Sequence, residues 1–478
     1  MKSNLRAVEP LLALGLAAAF FLNDAEAAVV FPVGTNADVV EACVGISFDG
    51  TNYLFGLVSG TNVCAQLVSA TGALIGSLIN VGNNPGSRVP EAAIIFGHTN
   101  YLLAWSDNSI SSGVNLFGQL ISRSGAKFGP AFPLLQSLGT HGFQAVQALA
   151  FDGTNFRVVW QDTNNSFFYG QFVTADGTLS GSEFLISSQQ NNRSAAAIFG
   201  AMNYLVVWQS NNGSQPDINQ TYGALVSRNG SVSTLFQISQ TSTPSYNPLT
   251  DAFDGTNYLV VWNQDVGQGN SNPKIWNLYG RLVSPGGTTI GNELVLATNQ
   301  ALIPSLAFDG SNYLLAWSYN LNTTNLDKTM RYQFFDRSGS EMGPDFTVFS
   351  AQGTNQPLFA LNGLVFDGTR FALASMLGVL NVDANGRVGG YSRGDVYGTF
   401  LPKSTASPRL DVAGPVTAAR FPLQLTGTPG VNYAIQTKTD LSALNWMSLV
   451  TNSPASGTFT FTDTTATNRS RFYRAVRQ

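Results

Sequence analysis

The strongest constraint on the fold is a ten-residue stretch, Phe253–Trp262, whose sequence FDGTNYLVVW recurs along the chain. Its copies begin at phenylalanines that lie 48 to 58 residues apart, namely Phe48, Phe96, Phe151, Phe199, Phe253, Phe308 and Phe366. A period of about 50 residues is typical of propeller blades and is longer than the repeats of most solenoids. The chain is therefore predicted to contain seven copies of one structural unit.

Each unit is predicted to hold four short strands. In the fifth copy, Asp254 and Gly255 form a turn before an apolar run, Tyr258–Trp262, that suits a strand buried on both faces. A second hairpin follows between Tyr279 and Leu296, and similar hairpins follow other copies. A unit of about 50 residues buries too little surface to be stable alone. The sequence therefore favours an all-β, seven-bladed β-propeller over a linear array of small domains.

The composition agrees with tightly turned β-structure. Only 11% of the residues are charged, whereas 11% are aromatic and 48 are glycine, a profile that argues against long exposed helices or disorder. The formal net charge of −4 gives no reason to expect a nucleic-acid partner.

Residues 1–27 have the pattern of an export signal. Lys2 and Arg6 precede an apolar run from Leu11 to Leu22, and Ala25–Ala27 fits a small-x-small cleavage site. An uncleaved anchor is the alternative, although this apolar run is shorter than a bilayer-spanning helix needs. No later segment of the sequence is long and apolar enough to be a transmembrane helix. The mature chain is therefore predicted to be secreted or to lie on the exterior of the cell envelope.

Residues 28–402 are assigned to the propeller. The seventh unit lacks an evident fourth strand, so residues 28–34 are predicted to pair with it and close the ring without an open sheet edge. In an alternative register, a turn at 383–386 precedes the fourth strand and residues 395–401 form a supernumerary strand.

Residues 403–409 are predicted to be a linker and residues 410–478 a small β-sandwich, because alternating strands such as Phe421–Leu425 and Tyr433–Thr437 follow a segment rich in Ser and Pro. Residues 403–478 carry a formal charge of +5, whereas residues 28–402 carry −8. The asymmetry suggests that this basic module is attracted to an anionic cell envelope. Scattered solvent-facing charges are the plainer alternative.

Two residue types recur within the repeat, and both are interpreted as structural. The second-strand tryptophans are expected to pack between neighbouring sheets rather than to stack on sugar rings: Trp105, Trp160, Trp208, Trp262 and Trp317. The turn aspartates, which Gly97 and Gly200 replace in two copies, are expected to shape the turn: Asp49, Asp152, Asp254, Asp309 and Asp367. Calcium sites at these aspartates are the alternative, but single carboxylates lack the dense oxygen ligands that calcium prefers. No cofactor or metal is therefore predicted.

Both cysteines, Cys43 and Cys64, fall in the first unit. Export would permit a disulfide between them. The repeat alignment puts them on strands two apart, about 9.6 Å at ordinary sheet spacing, which exceeds the Cα separation that a disulfide tolerates. Loop distortion could close this gap, so the sequence leaves open whether the two cysteines form a disulfide or are free thiols.

Variation among the copies concentrates in the connections between strands two and three and between consecutive units. These segments should emerge on one face of the ring, where ligand contacts are expected by analogy with other propellers. Five residues with cationic or stacking side chains are the candidate contacts: Arg88, His141, Arg193, Tyr246 and Trp276. The plainer interpretations are a solvated loop position for His141 and a capping role at the end of a blade for Trp276.

No catalytic constellation stands out. With only His98 and His141, a three-histidine metal site within the chain is excluded. A Gly-x-Ser-x-Gly pattern at 390–394 would need a following helix and a later histidine to act as a nucleophile elbow, and no histidine follows Ser392. A glycoside hydrolase needs two carboxylates across a cleft. The loop acids that could form such a pair are spread over different blades: Asp107, Asp162, Asp217, Asp265 and Asp327.

Two resemblances follow from these motifs. The FDGTNYLVVW repeat, with strands such as Tyr279–Ser284, resembles the repeats of secreted bacterial seven-bladed propellers. The C-terminal stretch is similar to a short module that ends many exported bacterial proteins, through Tyr433–Gln436, Trp446, Phe461–Asp463 and Arg471–Arg474. Neither resemblance brings a catalytic motif, and together they imply an exported protein with a binding role.

The sequence thus favours a secreted, non-catalytic binding or scaffold protein that recognises a glycan or another exported protein through the loop-rich face of the propeller. A propeller-type glycoside hydrolase or lyase that acts on extracellular polysaccharide is the alternative, so enzymatic activity stays open.

Overall fold

The computed structural model is all-β. It describes residues 29–34, 41–83, 91–107, 115–135, 143–189, 191–211, 220–240, 249–266, 275–298, 301–320, 328–343, 345–351, 357–382, 388–403, 409–414, 420–426, 432–438, 446–454, 458–465 and 472–477. These residues form 34 strands, which are arranged in seven four-stranded antiparallel sheets and two three-stranded sheets. No helix of the described residues is long and apolar enough to cross a membrane.

Strand β1 precedes the first complete blade and covers Val29–Gly34. Blades 1 to 3 follow with four strands each. Blade 1 comprises β2 (Glu41–Phe48), β3 (Asn52–Ser59), β4 (Asn62–Ser69) and β5 (Leu74–Asn83). Blade 2 comprises β6 (Ala92–Gly97), β7 (Asn100–Ser106), β8 (Leu116–Ser122) and β9 (Lys127–Pro133). Blade 3 comprises β10 (Gln144–Phe151), β11 (Asn155–Asp162), β12 (Phe167–Thr174) and β13 (Leu179–Ser187).

Blades 4 to 6 repeat the same order of strands. Blade 4 comprises β14 (Arg193–Phe199), β15 (Tyr204–Ser210), β16 (Gln220–Val226) and β17 (Phe236–Gln237). Blade 5 comprises β18 (Leu249–Phe253), β19 (Tyr258–Asp265), β20 (Trp276–Val283) and β21 (Thr289–Ala297). Blade 6 comprises β22 (Ala301–Phe308), β23 (Tyr313–Asn320), β24 (Lys328–Phe335) and β25 (Phe346–Ala351).

Blade 7 takes its outer strand from the beginning of the chain. It comprises β26 (Pro357–Phe366), β27 (Arg370–Val382) and β28 (Val388–Pro402), and β1 pairs antiparallel with β28 so that Val29 lies opposite Phe400. β1 therefore occupies the position for which residues 28–34 were predicted. Residues 395–401 belong to the third strand of the blade, so the chain does not adopt the alternative register.

The blades form a closed ring. Each innermost strand contacts the innermost strand of the next blade, and β26 of blade 7 contacts β2 of blade 1. Seven apolar cores lie between neighbouring blades. In β19, every residue is buried, because both faces of a central strand pack against other sheets. The predicted all-β, seven-bladed propeller is confirmed.

Two three-stranded sheets follow the propeller. One contains β29 (Arg409–Val412), β30 (Phe421–Thr426) and β33 (Thr458–Asp463), and the other contains β31 (Tyr433–Lys438), β32 (Met447–Asn452) and β34 (Phe472–Arg477). Leu423 and Leu425 of the first sheet share a core with Tyr433 and Ile435 of the second. β29 begins at Arg409, which had been assigned to the linker.

Candidate functional site

The FDGTN turns lie on the face of the ring opposite to the connections between blades. In blade 5, Asp254 Oδ1 accepts hydrogen bonds from the backbone nitrogens of Thr256 and Asn257, at 2.7 and 2.6 Å. Gly255 has a φ of +90°, a conformation in which a side chain would be strained. The same pair of hydrogen bonds recurs at Asp49, Asp152, Asp309 and Asp367. Each turn aspartate thus binds the backbone of its own turn.

The repeat tyrosine connects a turn to the next blade. Tyr258 of blade 5 donates its hydroxyl hydrogen to the carbonyl oxygen of Asn203 in the turn of blade 4, over 3.0 Å. Tyr53 of blade 1 donates to the carboxylate of Asp367 and so links blade 1 to blade 7. Equivalent hydrogen bonds in other blades run from Tyr101 to Asn52 and from Tyr204 to Asn155.

Two turns have glycine in place of aspartate, and the aromatic ring of the next blade gives the physical reason. A Cβ atom on Gly97 would collide with the ring of Phe156, and one on Gly200 would collide with the hydroxyl of Tyr258. Close approach of the next blade therefore requires glycine at these two positions.

The repeat tryptophans are buried, and each lies in the core that its blade shares with the preceding one: Trp105, Trp160, Trp208, Trp262 and Trp317. None of the five is more than 3% exposed. A ligand on the surface of the ring cannot stack on rings that are enclosed in this way.

Cys43 and Cys64 are free and buried, so the disulfide that the sequence left open is not formed. Strand β3 separates them, because Leu57 pairs with Cys43 on one side and with Cys64 on the other. Burial raises the pKa of the Cys43 thiol to about 12 and that of the Cys64 thiol to about 11. Neither thiol is suited to act as a nucleophile.

Two of the five predicted contact residues lie within the described part of the chain. Arg193 is the exposed first residue of β14 and pairs with Gln209. Trp276 is the partly buried first residue of β20, rather than preceding this strand, and pairs with Asp265. Both lie at strand ends on the loop-rich face, in the neighbouring blades 4 and 5. Arg88, His141 and Tyr246 lie outside the described residues.

Two of the loop acids considered for a hydrolase bind their own loops. Asp162 Oδ1 accepts a hydrogen bond from the backbone nitrogen of Asn164 at 2.9 Å. Asp265 Oδ1 accepts one from the backbone nitrogen of Ile275 at 3.1 Å. Asp217 and Asp327 lie outside the described residues.

The remaining chemical motifs occupy ordinary structural positions. His98 lies in the turn of blade 2 with a φ of +60°, and the edge of its ring contacts Phe151 with 5.4 Å between centroids. The Gly-x-Ser-x-Gly pattern lies inside the extended strand β28 rather than on a turn from a strand to a helix. In the described part of the chain, no group of three or more His, Cys, Asp or Glu side chains could hold a metal ion.

The innermost strands surround a central channel that contains a cavity of about 290 Å³. Strands from six of the seven blades line it, and most of the lining side chains are small or aliphatic. Ala195, Ala196 and Ala197 of β14 form part of the wall. Among the described lining residues, the two polar side chains are those of Gln147 and Asp251.

Gln147 is held from both sides in this channel. It lies at a β-bulge in β10, which re-aims the side chain of the extra residue. Its Oε1 accepts a hydrogen bond from the backbone nitrogen of Ala195 at 3.4 Å, and its Nε2 donates to Glu91 Oε2 at 3.5 Å. The amide therefore bridges the blades on either side of its own.

Asp251 is partly exposed and lies on the same face of β18 as Leu249 and Phe253, which pack against blade 4. Its Oδ2 atom is buried and has no hydrogen-bond partner among the described residues. Burial raises the pKa of this carboxyl to about 7. Burial is also the main cause that raises the pKa of Tyr258 to about 12, and the negative charge of Asp251 adds to it.

Sequence reasoning missed Asp251 and Gln147. A signal for Asp251 was present, because the residue two positions before the repeat phenylalanine is apolar in the other six copies: Ile46, Ile94, Leu149, Ala197, Leu306 and Leu364. Gln147 gave no such signal, because its significance depends on a bulge that shows only in the strand pairing.

No family model and no curated protein matches this chain. Solved structures with similarity include a subtype N11 neuraminidase-like protein of A/flat-faced bat/Peru, with 9% identity, a TM-score of 0.37, and coverage of 64% of this chain and 84% of that one. Hydrazine synthase of Kuenenia stuttgartiensis has 12% identity and a TM-score of 0.44, with coverage of 76% and 100%. A puromycin-hydrolyzing peptidase of Mycobacterium tuberculosis has 14% identity and a TM-score of 0.44, with coverage of 83% and 60%.

Proposed function

We propose that this is an exported, non-catalytic binding protein whose loop-rich face recognises a glycan or another exported protein. The observation that carries the proposal is the separation of repeated and unrepeated residues. The repeated Asp, Tyr and Trp side chains bind turns or fill cores, as described above. The ends of the strands on the opposite face differ from blade to blade, and the innermost strands there begin with Glu41, Ala92, Gln144, Arg193, Leu249, Ala301 and Pro357.

Arg193 and Trp276 are the contacts that we propose within the described residues. The exposed guanidinium of Arg193 offers five N–H donors in a planar fork, which suits carboxylates, sulfates and sugar hydroxyls. The partly exposed indole of Trp276 offers an apolar face for stacking and one N–H donor. Both groups are typical of sites that bind polar ligands with apolar faces.

Binding is favoured over hydrolysis by the positions of the carboxylates. A glycoside hydrolase needs two carboxyl groups that face the scissile bond from opposite sides. Asp162 and Asp265 bind their own loops. Asp251 is the one carboxylate among the described residues that line the central cavity.

We further propose that the basic C-terminal module attracts the protein to an anionic component of the cell envelope. Lys438 Nζ lies 4.7 Å from the centroid of the Trp446 ring, and Arg474 Cζ lies 4.4 Å from it. Two cations around one indole concentrate positive charge on one sheet of the module. Binding of the full chain to anionic polysaccharide should weaken as salt is raised and should weaken further in Arg474→Gln. Salt-independent binding would argue against this role.

The test of the main proposal is a glycan array, run beside a pull-down of exported proteins, with the full chain and three variants. Arg193→Ala and Trp276→Ala should each weaken binding of the selected ligand at least about tenfold, because interface anchors of these types contribute 2 kcal/mol or more. Arg337→Ala is the matched control, since Arg337 is exposed on the turn face and donates to the carbonyl oxygen of Gly310. Unchanged binding by both loop-face variants, or equal loss in the control, would contradict the proposal.

A further inference from the structure

Blade 7 departs from the repeat at a position where the other six blades agree. The fifth residue of the repeat is asparagine in those blades: Asn52, Asn100, Asn155, Asn203, Asn257 and Asn312. Blade 7 has Arg370 there, and its backbone nitrogen donates to Asp367 Oδ1 over 2.8 Å, as that of Asn257 does to Asp254 Oδ1. The turn therefore has its usual geometry, and turn formation does not explain the arginine side chain.

Blade 7 also lacks the turn that joins the third and fourth strands at this end of the other blades. In blades 1 to 6, the first residue of that turn donates its backbone hydrogen to a carbonyl oxygen four residues later: Ser69, Ser122, Thr174, Ser227, Ser284 and Asp336. In blade 7 the corresponding strands are β28 and β1, which are distant in sequence. A cavity of about 370 Å³ lies beside Val29 of β1 and Pro402 of β28, on the turn face of the ring.

The wall of this cavity combines cationic and apolar groups. Its lining includes Arg370 and Lys403, and none of the described lining residues is acidic. Val29 is 53% exposed, and Pro402 and Lys403 are partly exposed, so these side chains present accessible surface. A molecule in the cavity therefore contacts positive charge and apolar surface together.

Arg370 is held in place and is still accessible. Its Cζ atom lies 3.6 Å from the centroid of the Phe400 ring, and its Nε atom lies 3.5 Å from Asp367 Oδ2. The side chain is 32% exposed although Nε is buried, so the terminal nitrogens supply the donors for a ligand. Asp367 offsets one of the two positive charges of Arg370 and Lys403, which leaves a net charge of +1.

We propose that this cavity binds a small organic acid with one negative charge and a compact apolar body. The carboxylate of the ligand accepts hydrogen bonds from the terminal nitrogens of Arg370, since the guanidinium fork matches a carboxylate. Lys403 supplies a second positive charge, and the apolar body packs on Val29 and Pro402. This site is separate from the recognition proposed for the loop-rich face.

The size of the cavity limits the ligand. At roughly 30 Å³ per water molecule, the volume of about 370 Å³ corresponds to about twelve waters. A molecule of about ten non-hydrogen atoms, such as benzoate, has a comparable volume.

The lining disfavours other classes of ligand. A metal ion would meet two cations and no carboxylate among the described lining residues. A neutral sugar would leave the charges of Arg370 and Lys403 uncompensated and would place hydroxyl groups against Val29 and Pro402. A monoanion with an apolar remainder matches both the net charge and the wall.

The test is a ligand-observed NMR titration of the full chain at pH 7 with sodium benzoate and, separately, with benzyl alcohol. Benzoate should bind at least about threefold more tightly than the alcohol, because the ion pair with a partly exposed arginine forms only with the anion. Arg370→Asn, which restores the residue of the other six blades, should weaken benzoate binding at least about threefold. Arg123→Gln is the matched control and should leave binding unchanged, since Arg123 is an exposed arginine in the turn of blade 2.

A second variant separates loss of the site from loss of folding. Val29→Asp places a carboxylate beside the two cations at an exposed position, so it should abolish benzoate binding while the circular dichroism spectrum is preserved. Absence of benzoate binding in the unmodified protein or equal binding of benzyl alcohol would overturn the proposal. Full binding by folded Arg370→Asn or Val29→Asp, or an equal loss in Arg123→Gln, would overturn it as well.

Discussion

The hydroxyl of Tyr258 in blade 5 donates a hydrogen bond to the carbonyl oxygen of Asn203 in the turn of blade 4, over 3.0 Å. The tyrosine side chain is fully buried. One residue of the repeat thus spans the boundary between two blades and satisfies a backbone carbonyl of the preceding turn. The repeat therefore supplies contacts between blades as well as contacts within each blade.

Removal of this hydroxyl should weaken the junction between blades 4 and 5. We expect Tyr258→Phe to lower the free energy of unfolding by about 0.5–1.5 kcal/mol, the net contribution of an ordinary hydrogen bond. Urea denaturation followed by tryptophan fluorescence would measure the change. Tyr222→Phe is the control, because that hydroxyl donates to Gln220 within one blade. A larger loss in the control would argue against the role of Tyr258 as a link between blades.

Gly200 should tolerate no side chain. A Cβ atom there would collide with the hydroxyl of Tyr258, so Gly200→Ala should destabilise the protein by about 1–3 kcal/mol, as overpacking does. The double variant Gly200→Ala with Tyr258→Phe should recover part of the loss, because the nearest of the colliding atoms is removed while the ring carbons remain. Thermal unfolding of the three variants would measure this coupling, and simple additivity of the two changes would contradict the steric explanation.

Arg157 is a buried charge at a position where most copies of the repeat have leucine. It is fully buried, lies 4.1 Å from the ring centroids of Phe172 and Tyr204, and donates to the carbonyl oxygen of Ser227 at 3.1 Å. Burial lowers the pKa of its guanidinium to about 10.

We expect Arg157→Leu to change the free energy of unfolding by less than about 1 kcal/mol, because hydrophobic residues replace buried charges at little cost. Arg157→Ala should lose about 2–4 kcal/mol, because it leaves a cavity. Denaturation of both variants in urea would compare them. A severe loss in Arg157→Leu would show that the charge itself is required.

The two thiols should be unreactive in the folded protein. Both are buried, and burial raises the pKa of Cys43 to about 12 and that of Cys64 to about 11, so thiolate is scarce at pH 8. Titration with a chromogenic disulfide reagent should detect no thiol in the native state and both thiols in guanidinium chloride. Detection of none after unfolding would indicate a disulfide and contradict the structure.

The carboxyl of Asp251 should make stability depend on pH. Burial raises its pKa from 3.8 to about 7, so the folded state binds this proton more tightly than the unfolded state. The stabilising contribution of the protonated carboxyl is therefore fully present below pH 4 and is lost as the pH rises towards 7 and above. Around it, β14 carries Arg193 at its exposed end, β19 carries Tyr258 and Asp265, and β22 carries no ionisable residue.

Asp251→Asn should remove this dependence. The free energy of unfolding of the variant, relative to that of the unmodified protein, should rise by on the order of 2–4 kcal/mol between pH 4 and pH 8. Urea denaturation at several pH values would measure the difference. A difference that is constant over this range would show that Asp251 ionises as an ordinary surface carboxyl.

The architecture could be predicted because each copy of the repeat contains its own turn, strand and interblade packing residues. Asp254 and Gly255 specify the turn locally, and the apolar run after them requires burial on both faces. Strand lengths were less predictable. The fourth strand of blade 4, β17, covers the two residues Phe236–Gln237, because the backbone nitrogens of Ile238 and Ser239 both donate to the carbonyl oxygen of Thr221.

The channel site could not be predicted to the same extent. Asp251 is a single departure from a pattern of six, and its environment depends on which blade lies beside it. Ala196 of β14 faces it because the ring closes with blade 4 next to blade 5. Such a site arises from contacts distant in sequence, whereas a repeat pattern reports contacts that are close in sequence.

The central claim is that repeated residues build the ring and unrepeated residues recognise a ligand. Hydrogen–deuterium exchange of the full chain, with and without the ligand selected on the array, tests it most directly. We predict slower exchange around Arg193 and Trp276 on the loop-rich face and no change in the turns at 49–52, 152–155 and 254–257. Protection of those turns, with unchanged exchange around Arg193 and Trp276, would contradict the claim.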